Sequence, residues 1–308
     1  MNSLVTNKSK TKKLNKSQPM FCSPARHDMG VKDNTCLSVG ELKAIASDYN
    51  KSIKNSSKKF KKVDIVDNKK KLVEELKEKL GPNDHAWVQE DFVNTSTKHQ
   101  LKNAFRPLKP IEWYSNNQTW LNTFDILNVM KQYEDKYKDF MFLGVFPIDF
   151  ADNDDYGHCV GQGMCNFGLK KVLLHGKKRF AMVLNTDRHD ESGEHWNCCY
   201  CNLNPRRKNF GIYFYDSVAN SPPREVAAFM QQMEKEAYQV FSKKVADRFV
   251  MRYNRIQRQF LGYDCGVFSE VFITQMLKDI PFMEICKRMP TDDGVNKLRD
   301  VLYTPQKL

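Results

Sequence analysis

One stretch constrains this chain more than any other: Gln259-Phe260-Leu261-Gly262-Tyr263-Asp264-Cys265-Gly266-Val267-Phe268-Ser269. A polar segment with a glycine turn ends in a cysteine. Val267, Phe268, Val271, Phe272, Met276 and Leu277 then follow at helical spacing and predict a helix from Asp264. A cysteine in the first turn of a helix sits among unpaired N–H groups at the positive end of the dipole. That favours the thiolate, the nucleophilic form. A lone intracellular cysteine is more often a small core hydrophobe. The nucleophile reading therefore requires a base, an orienter and oxyanion donors elsewhere in the chain.

The 308 residues suffice for one catalytic domain and a smaller appendage. No apolar run approaches the ~20 residues that cross a bilayer, and the first residues carry no apolar signal segment. The nine cysteines are odd in number and follow no small-scaffold spacing, so they read as reduced thiols of an intracellular protein. The net charge of +12 is uneven. Residues 1–80 hold 19 Lys and Arg against 9 Asp and Glu. Such a segment can bind DNA or another polyanion through phosphate contacts, or serve as a solvated lysine face.

Residues 1–20, rich in Lys, Ser and Asn, read as a disordered basic tail. A short helix is expected over 38–49, a linker over 51–62, and a helix over 69–80 stopped by Gly81-Pro82. Residues 83–118 read as an irregular segment that anchors aromatics on the following domain. Past Trp120-Leu121-Asn122-Thr123, a helix capped by Asn122 or Thr123 is expected, then a buried strand over 140–147. Strands are predicted over 178–185, 195–201 and 211–216. The polar loops between them allow antiparallel hairpins. Ser221-Pro222-Pro223 opens a long amphipathic helix, 249–254 is a further strand, and a last helix runs from Asp292 to about Tyr303.

Of seven histidines, His195 is the best base. It begins a strand beside an open polar loop, and His189 in that loop is its main competitor. Asp216 ends the next strand and can meet His195 across the hairpin, fixing its tautomer and stabilising its charged form. Cys22, His27 and Cys36 complete no tetrahedral metal framework. Cys198, Cys199 and Cys201 alternate across a strand and read as core-filling thiols, so neither metal nor cofactor is expected.

His195-Trp196, Asp216, and Gln259 six residues before Cys265, in that order, resemble the ubiquitin-like-protein (SUMO) protease and adenovirus proteinase superfamily. Trp120-Leu121-Asn122 resembles the start of its catalytic domain. The N-terminal extension and the phrase Asp216-Ser217-x-x-Asn220-Ser221-Pro222-Pro223 are most similar to members from large cytoplasmic DNA viruses, including asfarviruses. The resemblance implies an α+β fold: a papain-like or adenain-like cysteine protease core with a central, mostly antiparallel sheet flanked by helices, plus a small helical N-terminal arm. The domains would be a tail over 1–20, an arm region over 21–110 and a catalytic domain over 111–308.

It further implies Cys265 as nucleophile, His195 as general base and later acid, and Asp216 as orienter. The Gln259 amide and the Cys265 N–H would form the oxyanion hole. Trp120 and Trp196 would wall a groove for glycine, with cleavage after Gly-Gly-x-type motifs. Thr123 departs from the Asp usual after Trp-Leu-Asn, at the surface that grips a folded modifier. The substrates implied are viral structural polyproteins, processed during maturation in the host cytoplasm, virus factory and virion. The alternatives are ubiquitin-like conjugates, or a non-catalytic nucleic-acid-binding role on a protease fold.

Overall fold

The computed structural model describes residues 21–54 and 61–306. The tail expected over 1–20 lies outside them. Five strands form one sheet in sequence order: β1 (Phe140–Phe146), β2 (Arg179–Asn185), β3 (Trp196–Asn202), β4 (Gly211–Tyr215) and β5 (Val250–Tyr253). The short polar loops do make β2, β3 and β4 an antiparallel meander. Both edge pairs, β1–β2 and β4–β5, are parallel. The fold class stands, but half the strand pairs are parallel rather than most being antiparallel. The reason is connection length: β1 reaches β2, and β4 reaches β5, through crossovers that contain helices. Gly211 allows the close approach of β4 and β5. Its φ is +146°, and a Cβ there would lie 2.1 Å from the Val250 carbonyl oxygen.

The sheet is buried on both faces. Side chains alternate with the period of two that strands impose. Ala181, Val183, Cys198, Tyr200, Tyr213 and Tyr215 face the helices Thr123–Lys136 and Cys265–Leu277. Phe180, Met182, Cys199, Cys201, Ile212 and Phe214 face the helix Arg224–Val240. The three β3 cysteines thus divide between the two faces, as the alternation predicts. Burial raises the pKa of each thiol, which keeps it protonated and inert.

A separate cluster, drawn from Cys22 to Phe105, sits under the helices Val39–Lys54 and Lys69–Leu80. Two expectations are corrected here. The first helix continues into the supposed linker as far as Lys54, because lysine is a good helix former whatever its charge. The irregular stretch after Gly81 contains helices at Asp84–Trp87 and Thr95–Leu101, and Trp87 is a fully buried member of this cluster. Helices of four and seven residues are too short to show a period. Trp113 alone reaches the catalytic core, edge-on to Tyr303. Near the C-terminus the single expected helix is two, Asp292–Asn296 and Arg299–Leu302, and a further helix lies at Phe282–Arg288.

The reduced-thiol reading also fails. Cys22 is bonded to Cys36 and Cys159 to Cys165, leaving five free cysteines among the described residues. Proximity across a fold is not written in spacing. No helix among the described residues is long and apolar enough to cross a membrane.

Candidate active site

Cys265 is the first residue of its helix, and Asp264 is the N-cap. Aspartate at that position ordinarily accepts from the first helical N–H groups. Here it makes no such bond. Its carboxylate is drawn away by Arg299, whose Nε and Nη2 donate at 3.0 and 2.8 Å, and by Asn296 at 3.2 Å. No side-chain cap therefore competes for the N–H groups at the start of the Cys265 helix, where the dipole is positive. Arg299 is fully buried. It also donates to the Thr119 carbonyl and stacks 4.4 Å over Trp113. One guanidinium so holds both the turn before Cys265 and the segment leading to Trp120.

His195 closes the β2–β3 loop, its carbonyl accepting from the Thr186 N–H. Its Nε2 lies 2.8 Å from Asp216 Oδ1. The ring also lies close enough to Cys265 for the thiol to affect its protonation. Burial pushes the imidazole pKa down, but the bonds and charges of Asp216 and Cys265 outweigh it and carry the value up to about 10. Asp216 is buried, and its backbone is held in both directions by Asn254, which accepts from its N–H at 2.8 Å and donates to its carbonyl at 2.7 Å.

His189 has a carboxylate of its own. Its Nδ1 is 2.6 Å from buried Asp149, which raises its pKa. Cys265, however, acts on the imidazole of His195 and not on that of His189, which puts the thiol beside His195.

Gln259 is buried, with Nε2 donating to the Leu261 carbonyl at 2.6 Å. The turn after it is pinned by Asp292, which accepts from the backbone of Phe260 and Leu261. The two tryptophans meet through the chain. Trp196 Nε1 donates to the Leu121 carbonyl at 3.0 Å, next to half-exposed Trp120. Gly266 lets the helix start approach Leu121 and Trp196: a Cβ there would be 3.0 Å from Leu121 and 3.4 Å from Trp196.

Sequence reasoning did not single out Asn254 and Arg299. Asn254 carried the faint signal of ending a strand beside the motif. A single arginine in a short C-terminal helix carries none, since its partners are 35 and 180 residues away.

A thiol beside an imidazole that a carboxylate orients, at an uncapped helix start with an amide nearby, defines a cysteine protease. Residues 169–302 match the Ulp1 protease family, C-terminal catalytic domain. The match contains His195, Asp216, Gln259 and Cys265. A protein of Acanthamoeba polyphaga mimivirus, assigned to the thiol proteases, is 28% identical over 303 residues, 93% of this chain and 94% of its own. The cysteine protease of African swine fever virus (isolate Tick/Malawi) is 24% identical over 224 residues, 71% and 78% of the two chains. The crystal structure of the African swine fever virus protease shares the fold. Its TM-score is 0.63 at 19% identity, covering 94% of this chain and 97% of that one.

Proposed function

We propose that the chain is a viral endopeptidase that cleaves after Gly-Gly-x-type motifs and processes structural polyproteins during virion maturation. The observation that carries the substrate reading is the junction of Trp196, Leu121 and Gly266 beside Cys265. In this reading Trp196 and the neighbouring Trp120 wall the groove, and flat walls leave room for a chain without side chains. That both named relatives are viral supports the setting.

In this reading the Cys265 thiolate adds to the scissile carbonyl carbon. The oxyanion is met by the Gln259 amide and the Cys265 N–H. Imidazolium at His195 gives its proton to the departing amine, leaving a thioester. His195 then takes a proton from water, which attacks the thioester and releases the acid. Asp216 keeps the ring oriented throughout.

A fluorogenic Gly-Gly-x peptide and a ubiquitin-like conjugate, offered in parallel, test the proposal. Rapid peptide cleavage without deconjugation is expected. The reverse result would make the chain a deconjugating isopeptidase, and full activity in Cys265→Ala would sink both. Polyanion binding belongs to the same proposal. Several lysines of the described arm are ion-paired, including Lys43, Lys69 and Lys71. Seven lysines fall in 1–20 and 55–60 with no acidic residue among them. Deleting 1–20 is therefore expected to weaken a DNA gel shift and its salt dependence. Deleting 1–80 would instead cut through the Cys22–Phe105 cluster.

A further inference from the structure

Ser217 follows Asp216 and is 1% exposed. Its hydroxyl lies 2.5 Å from Gln259 Oε1, and its carbonyl accepts from the backbone N–H of Arg258 at 2.9 Å and of Gln259 at 3.0 Å. Side chain and main chain of one serine thus hold the residue that faces the oxyanion.

A primary amide is nearly symmetric in shape and opposite in polarity at its two ends. Turned by 180°, Gln259 would offer an acceptor where a donor is needed. Serine alone does not settle the orientation, because a hydroxyl donates or accepts. The Leu261 carbonyl does. It can only accept, and it lies 2.6 Å from the far end of the amide, so that end is the NH2 group. The oxygen therefore faces Ser217, whose hydroxyl must donate. Leu261 takes one of the two amide hydrogens, and the second remains for a ligand.

We propose that Ser217 is a positioning residue for the oxyanion hole. Its hydroxyl locks the Gln259 amide with the spare N–H toward the scissile carbonyl. The proposal rests on the reading of Gln259 as an oxyanion donor. Without the hydroxyl, Oε1 is buried with no donor, and only the Leu261 carbonyl still holds the amide.

The test is a double-mutant cycle in the full chain with the fluorogenic Gly-Gly-x peptide, using Ser217→Ala, Gln259→Ala and the pair. Ser217→Thr serves as the conservative control. Ser217→Ala is expected to lower kcat about tenfold, below the loss of a whole donor, with KM little changed. Ser217→Thr should restore most of the rate, and Ser217→Ala should cost nothing further once Gln259 is alanine. In the 15N-glutamine protein, hydrogen exchange at the Gln259 side-chain amide should quicken in Ser217→Ala and not in Ser217→Thr. If Gln259→Ala costs nothing, the oxyanion reading falls and the proposal with it. If Gln259→Ala costs and Ser217→Ala adds to it in full, or leaves amide exchange unchanged, only the proposal falls.

Discussion

His195 shows how residues settle a competition that burial alone would decide the other way. Desolvation favours the neutral ring, while Asp216 and the Cys265 thiol favour the charged one and prevail. The folded-state pKa is about 10 against an ordinary 6.5. The stability this gives is complete below pH 6.5 and is lost as pH rises through about 10. In the proposed mechanism the proton for the leaving amine disappears over the same range. Asp216→Asn should therefore bring the alkaline limb of the pH–rate profile down toward neutrality. A limb that stays in place would show that Asp216 does not set it. Gln259→Ala should lower kcat by about 10²–10³, the scale for one oxyanion donor. An unchanged rate constant would remove that role. His195, Asp216, Gln259 and Cys265 were singled out because their types, order and spacing form a recognisable pattern, and the structure brings His195 and Asp216 within 2.8 Å. Ser217, though adjacent to one of them, was not, because its partner is 42 positions away.

At the scale of elements, the Cys265 helix depends on a cap that does not cap. Arg299 holds Asp264 away from the helix start, and both are fully buried. Arg299→Met leaves an unpaired buried carboxylate and should cost roughly 3–5 kcal/mol. Urea denaturation of that variant, and of Arg299→Met with Asp264→Asn, measures the cost and its recovery. The same helix carries buried Glu270, which accepts from the Tyr303 hydroxyl at 3.0 Å. Burial raises its pKa well above 4.5, so the folded state holds a proton that the unfolded state releases. Stability then falls as pH rises above 4.5. Glu270→Gln should flatten that slope between pH 5 and 8, and an unchanged slope would assign it elsewhere. The helix itself was evident from its apolar spacing. Its buried polar partners were not, since periodicity records which face is apolar and not what that face meets.

At the scale of the molecule, the C-terminal segment ties the chain together. Thr304 pairs with Leu108, exchanging backbone bonds with Pro107 and Lys109, while Tyr303 is buried against Trp113. Deleting residues 303–308 should lower the melting temperature and expose Trp113. Unchanged calorimetry and tryptophan fluorescence would show that the segment is dispensable.

The sequence by itself determined the α+β class, all five strands, the main helices and the order of the chemical groups. The strands and helices follow from local periodicity, and the class and the chemical groups from the resemblance that motif order and spacing carry. Only the tertiary structure decided that both edge strands run parallel, that four cysteines pair, and that His195 rather than His189 lies beside the thiol. It alone supplied the Arg299 clamp on Asp264 and the Ser217 hold on Gln259. The physical reason is the same in each case: a hydrogen bond, an ion pair or a disulfide acts over about 2–4 Å between groups far apart in the chain, and sequence distance says nothing of that separation until the chain has folded.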